Sequence, residues 1–264
     1  MNSGNMNFKK LKLNIGIEFS FCLKQSRGEI LLVPEKDMPH YKRYASKLIE
    51  DEVILDLENA KRKIERTGDF VVYEVYNLWK SEEFFQKLHR RTELVGDLTI
   101  LKHGVFSDSG KGELFSTYGH VHEKDFGEVY IILKNECFLT LTERGSLKTF
   151  IVKLKEGASV FIHPKFMHRT TAYTKDCLFL TLAPEKAGHD YLCVKGKGFP
   201  IHLFYDADKG KVEFRENPRF KVDYTLVRKL DKKVDAFNIA QENPELLREI
   251  LENPEKYRDF YFVQ

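Results

Sequence analysis

The stretch Thr117-Tyr118-Gly119-His120-Val121-His122, followed by Glu128 and Tyr130, decides how the rest of the chain is read. Side chains of a β-strand alternate between its two faces, so His120 and His122 share a face, and Glu128 and Tyr130 repeat that spacing after a short turn. Two imidazoles and a carboxylate on one face make half a cage for a divalent metal. His168 lies far enough along for intervening hairpins to return it as a fourth ligand. One histidine alone reads more readily as a surface or satisfied core residue. The His-x-His pair, a glutamate of the same parity and a later histidine together point to one metal ion, and iron, manganese, nickel and zinc all fit that donor set.

The surroundings of this stretch are β in texture. Short apolar runs at 98–101, 115–118, 129–133, 137–141, 149–154, 159–162, 168–172 and 178–182 alternate with turn signals such as Asp108-Ser109-Gly110, Lys134-Asn135, Arg144-Gly145 and Glu156-Gly157. Evenly spaced short strands of this kind predict a closed sandwich or jelly roll. Upstream, Val53, Leu57, Ala60 and Ile64 recur at helical intervals and predict a helix over 51–67. The β-branched and aromatic run 71–76 reads as a strand, and 80–92 as a charged, helix-like stretch. Two extended segments, 11–21 and 29–33, precede them.

After Pro218 the composition turns charged and helical. Asn243-Pro244-Glu245 is a helix start: Asn as the N-cap, Pro in the first turn, Glu near the positive end. Leu246, Leu247, Ile250 and Leu251 then form an apolar stripe, and Asn253-Pro254-Glu255 predicts a restarted helix. The organisation expected is an N-terminal extension (1–45), a β-barrel domain (46–218) and a helical C-terminal extension (219–264) that packs outside the barrel or on a partner.

Composition excludes several classes. The chain has 264 residues, 42% of them hydrophobic, enough for a sizeable core. Its 43 basic and 40 acidic side chains leave a net charge of only +3, which speaks against nucleic acid as a partner. Cys22, Cys137, Cys177 and Cys193 form no Cys-x-x-Cys pair. Scattered cysteines, a polar N-terminus and no apolar run near the roughly 20 residues that span a bilayer predict a cytoplasmic protein without a membrane partner.

The segment Gly119-His120-Val121-His122 with Glu128, then Gly157 to Pro164 and His168, resembles the paired motifs of the cupin superfamily. Thr-x-Gly-His-x-His followed by Glu-x-Tyr is similar, more narrowly, to the cupin-type glucose-6-phosphate isomerases of archaea and some bacteria. Val71 to Tyr76, His168-Arg169-Thr170 and Pro184-Glu185-Lys186-Ala187-Gly188-His189-Asp190-Tyr191 agree with that family, over roughly residues 50–220. The turn 123–127 is one residue shorter than the family pattern, with Glu123 and Asp125 as fallback ligands. The resemblance implies a mainly β, double-stranded β-helix (cupin jelly-roll) fold and His120, His122, Glu128 and His168 as metal ligands. It also implies a sugar phosphate held by Tyr73, Thr99, Thr117, Gly119 and Tyr130, with His189 and Tyr191 beside the chemistry, in a homodimer.

An aldose–ketose phosphate isomerase must hold a phosphate, polarise two neighbouring oxygens and move one hydrogen between C1 and C2. Two routes suit a metal site. In one, Glu128 carries a proton through a cis-enediol; in the other, a hydride shifts directly. His189 would assist ring opening, and Gly119 would let the backbone approach the ligand. Competing readings are a cupin isomerase for mannose 6-phosphate and a non-catalytic cupin that senses a sugar phosphate. His163, of opposite parity to His168, and Trp79 read as structural.

Overall fold

The computed structural model describes residues 9–12, 18–35, 37–227 and 234–262. In chain order, β1 (Lys9–Lys12), β2 (Glu18–Ser26), β3 (Glu29–Pro34) and β4 (His40–Tyr44) lead into α1 (Ala45–Glu50) and α2 (Leu57–Thr67). Next come β5 (Val71–Asn77), α3 (Leu78–Ser81), α4 (Glu83–Thr92), β6 (Leu94–Leu101), β7 (Gly112–Glu113), β8 (Glu128–Lys134) and β9 (Glu136–Glu143). They are followed by β10 (Thr149–Lys155), β11 (Ser159–Ile162), β12 (Phe166–Ala172), β13 (Cys177–Pro184), β14 (Ile201–Asp206) and β15 (Lys211–Glu216). The chain ends in β16 (Tyr224–Val227), α5 (Ala236–Glu242) and α6 (Pro244–Glu252).

Two sheets face each other. One has the order β11-β8-β13-β6-β5-β4, the other β12-β9-β10-β16. Between them lies the main core, where Val75, Leu101, Ile132 and Phe179 of the first sheet meet Leu139, Leu141, Phe150 and Phe166 of the second. This is the two-layer closure that the alternating runs predict. The exception is 115–118, which makes only isolated bridges, Ser116 to Thr171 among them, in place of a strand.

The outer face of the six-stranded sheet is covered from both ends of the chain. Phe19, Phe21, Ile30 and Leu32 of the N-terminal hairpin, Phe85 and Leu88 of α4, and Phe237, Leu247, Ile250 and Leu251 of the C-terminal helices join Leu98, Ile100, Leu180 and Leu182 in one buried layer. Burying each such side chain contributes about 1.5–3 kcal/mol. The C-terminal helices therefore pack on the outside of the barrel.

Tertiary contacts redraw two predicted helices. The helix expected over 51–67 starts only at Leu57, as α2, because the buried Glu113 carboxylate accepts the backbone N–H groups of Leu55 (2.6 Å) and Asp56 (3.0 Å) and holds that segment as a loop after α1. Asn243 caps α6 as expected, its side chain accepting the Leu246 N–H, with Pro244 in the first turn. The second Asn-Pro-Glu does not restart an α-helix. Asn253 instead bonds back to the Glu249 carbonyl through both its backbone N–H (3.0 Å) and its side-chain amide (3.1 Å), which closes α6. Only a 3-10 turn at Arg258–Phe260 follows.

Candidate active site

Register carries the site residues to one place. Directly opposed residues of neighbouring strands share a face. Arg43 opposes Tyr73 on β4 and β5, and Tyr41 opposes Val75, which opposes Thr99 on β6. Asp97 opposes Asn77 on one side and Thr181 on the other, and Thr181 opposes Tyr130 of β8. Since Val75, Tyr73 and Tyr130 lie in the core between the sheets, these layers all face the barrel interior. Glu128, two residues before Tyr130, opens the same face.

His120 does not sit on a strand. It forms a bridge with His168, their backbones exchanging N–H···O bonds of 3.2 and 2.9 Å. The outcome that the strand parity argued for is reached through this bridge: one ligand atom from each of His120, His122, Glu128 and His168 falls within 4.8 Å of the others. The Nε2 atoms of His168, His122 and His120 lie 2.9, 3.4 and 3.9 Å from a single oxygen, Glu128 Oε2. His122, Glu128 and His168 are buried.

The hydrogen bonds behind the rings set their tautomers. The Phe126 carbonyl lies 2.6 Å from His122 Nδ1 and the Phe166 carbonyl 3.3 Å from His168 Nδ1. A carbonyl only accepts, so each Nδ1 carries the proton and each Nε2 turns a lone pair inward. The Nε2 atoms of His120 and His122 have no hydrogen-bond partner. Lone pairs converging on a carboxylate repel one another unless a cation lies among them, so these residues fit a divalent metal. Burial, with His168 and His189 nearby, pushes the His120 imidazole well below its ordinary value, so a proton is poorly held there. Burial acts to raise the Glu128 carboxyl, but the neighbouring His122 and His168 imidazoles outweigh it and hold it well below its usual range. His122 is raised because Glu128 outweighs burial.

The other predicted residues surround this cluster. Tyr130 is buried, stacked on Phe179 at 5.4 Å, with its ring edge-on to His168. His189 is exposed and lies edge-on to His120 at 4.2 Å. Tyr191, at the surface, meets the Tyr118 ring at 5.1 Å and His120 at 5.9 Å. The Tyr73 hydroxyl accepts the Tyr118 N–H (3.4 Å), Thr99 is buried on the inner face, and Thr117 Oγ1 accepts the Thr170 N–H (3.0 Å). Gly119 has a φ of +81°, and a Cβ there would overlap the Phe199 ring, so packing and backbone conformation account for this glycine. His163 is buried, 3.2 Å from Glu255 and edge-on to Tyr261.

Two residues of the site carry no motif. Arg43 Nε donates to the Tyr73 hydroxyl at 3.3 Å, and its guanidinium lies over the Tyr41 and Tyr118 rings at 5.8 and 5.6 Å. No carboxylate among the described residues pairs with it. Asp97 accepts from the Asn77 side-chain amide (2.9 Å), and burial pushes its carboxyl up to about 6. The one available signal was parity, since Asp97 and Thr99 are two apart on one strand.

A barrel of two facing β-sheets with three histidines and a glutamate meeting inside it defines a cupin. The chain belongs to the glucose-6-phosphate isomerase (GPI) family, a family of enzymes whose sequence pattern matches residues 46–220. It is 33% identical over 168 residues to glucose-6-phosphate isomerase of Thermococcus litoralis, covering 62% of this chain and 80% of that one. To the enzyme of the same name from Thermococcus gammatolerans it is 31% identical over 188 residues, covering 70% and 91%. Among solved structures, a Bacillus subtilis oxalate decarboxylase overlaps 44% of this chain and 26% of its own, at 15% identity and a TM-score of 0.33. No helix among the described residues is long and apolar enough to cross a membrane.

Proposed function

We propose that this chain interconverts glucose 6-phosphate and fructose 6-phosphate at the His120, His122, Glu128, His168 cluster with one divalent ion bound. The observation that carries the reading is the convergence of three histidine Nε2 atoms on one carboxylate oxygen, in a chain of this family. What a bound ion supplies there is positive charge against the oxygens of the enediolate.

The chain's own residues account for the remaining needs. Each of the three Nε2 atoms makes its shortest contact with Glu128 through Oε2, which leaves Oε1 for the chemistry. Oε1 takes the C2 proton and returns it to C1. His189, at the rim, exchanges protons with the ring oxygen and anomeric hydroxyl during ring opening, and Tyr191 closes the same side. Tyr73, Thr99, Thr117, the Gly119 backbone and Tyr130 line the sugar phosphate. Arg43 faces the phosphate, because a guanidinium with no carboxylate partner among the described residues, set among tyrosines, gives charge-assisted bonds to such a dianion. Two copies of the chain form the expected assembly, in the cytoplasm.

Fructose 6-phosphate incubated with the metal-loaded protein in D2O tests this. Formation of glucose 6-phosphate with solvent deuterium at C2 supports isomerisation by proton transfer. Product that keeps all of its original hydrogen points to the hydride shift. Binding without turnover under every divalent metal would leave a sensor, and turnover confined to mannose 6-phosphate would change the substrate.

A further inference from the structure

The C-terminal extension reaches the turn that joins two metal-ligand positions. Gly127, the residue before Glu128, donates its N–H to the Leu251 carbonyl at 2.7 Å. A Cβ added to Gly127 would overlap the Tyr261 phenol, so ring and backbone are in contact. Tyr261 is itself fixed: it is buried, its hydroxyl donates to the Ile250 carbonyl at 2.7 Å, and its backbone bridges Phe161 of β11. On the other side of the turn, the Lys124 N–H bonds to the Ala187 carbonyl (3.0 Å). The Phe126 carbonyl between these anchors is the acceptor that orients the His122 ring.

The family match ends at residue 220, so residues 250–261 lie outside it. We infer that this C-terminal segment positions the metal ligands, holding Phe126 and Gly127 so that His122 and Glu128 meet His120 and His168. Groups that orient a metal-binding imidazole from behind are typically worth about 10–100-fold in metal affinity. The hydrogen bond from Gly127 to Leu251 and the contact with Tyr261 give the turn a rigid backing. The inference rests on the metal reading above.

The test uses full-length chains and cobalt(II), whose absorption reports its ligands. Tyr261→Ala is expected to weaken cobalt binding by about tenfold and to speed hydrogen exchange of the Gly127 amide in the metal-free protein. Gly127 is not in the left-handed region, so Gly127→Ala is permitted by its backbone and acts through the overlap with Tyr261. It is expected to weaken cobalt binding alone and to add little in the Tyr261→Ala background. Phe237→Ala removes a ring stacked 5.5 Å from Phe84 at the far end of the extension, so it lowers the melting temperature without changing cobalt affinity. Unchanged affinity in Tyr261→Ala and Gly127→Ala, or an equal loss in Phe237→Ala, overturns the inference. If the unaltered chain binds no cobalt, the metal reading fails, and the Gly127 exchange still decides whether the segment braces the turn.

Discussion

Two buried histidine–carboxylate groups sit in this barrel, and they are built in opposite ways. At Glu128, the Nε2 atoms of three imidazoles converge on one oxygen. At Glu113, donors surround the carboxylate: His202 Nδ1 at 2.5 Å and the backbone N–H groups of Leu55 and Asp56. Arg169, wholly buried, adds positive charge nearby, and the desolvation it suffers pulls its guanidinium down to about 10. Glu113 is held below the usual carboxylate range, His202 outweighing the effect of burial. In the second group the carboxylate is satisfied within the protein and fixes the 51–56 loop, while His202 Nε2 has no hydrogen-bond partner among the described residues. The first leaves His120 and His122 Nε2 without hydrogen-bond partners among the described residues and could hold a cation. Burial and residue type are alike, so the direction of donors and lone pairs separates structure from chemistry.

The comparison can be broken by removing one member from each group. His120→Ala is expected to lose bound metal and cut kcat on the order of a thousandfold while the fold persists, since charge stabilisation of several kcal/mol goes with the ion. Metal analysis and an isomerase assay check this; an unaffected variant would remove His120 from the site. Glu113→Ala should do the reverse. It leaves His202 and Arg169 without their carboxylate and costs about 3–5 kcal/mol of stability, with metal content per folded molecule unchanged in denaturant titrations.

Arg43→Ala sharpens the contrast inside the site. Losing a charged hydrogen-bond partner of the phosphate, at about 1.5–3 kcal/mol, should raise KM for fructose 6-phosphate by roughly 10–100-fold with little change in kcat. Equal loss in kcat would instead place the guanidinium at the reacting carbons.

The smallest effect concerns a third carboxylate, Asp176, which ties the N-terminal hairpin to the barrel. It accepts from the Ile30 N–H (2.8 Å), the His103 N–H (2.8 Å), His103 Nδ1 (2.7 Å) and Lys102 (3.0 Å). Burial acts to raise Asp176, but these donors win and lower it, while the bond to Asp176 raises His103 above 6.5. The lowered carboxyl stabilises the fold above its unfolded value near about 3.9, an effect lost as pH falls through the folded value. The raised imidazole stabilises fully below about 6.5, an effect lost as pH rises through its folded value. Protection of the Ile30 amide, corrected for intrinsic exchange, should therefore peak between those limits and decline above neutrality. Asp176→Asn should flatten that profile.

Much of this was legible in the chain. Period-two alternation exposed the strands, and the His-x-His with its same-parity glutamate pointed to three of the four side chains that cluster, because both depend on residues a few positions apart. The late start of the helix expected over 51–67 was not legible, since Glu113 imposes the 51–56 loop from far downstream. Arg43 stayed hidden for a related reason: its inward direction follows from the β4–β5 register, which no local pattern encodes, while Asp97 offered only its parity with Thr99. The second Asn-Pro-Glu misled because the same residues that start one helix can close the preceding one.

The most direct test strips the purified chain with a chelator, returns one divalent metal at a time and follows fructose 6-phosphate turnover against bound metal. The account predicts that activity vanishes with the metal and returns in full at one ion per chain. Full turnover by the metal-free protein would contradict it.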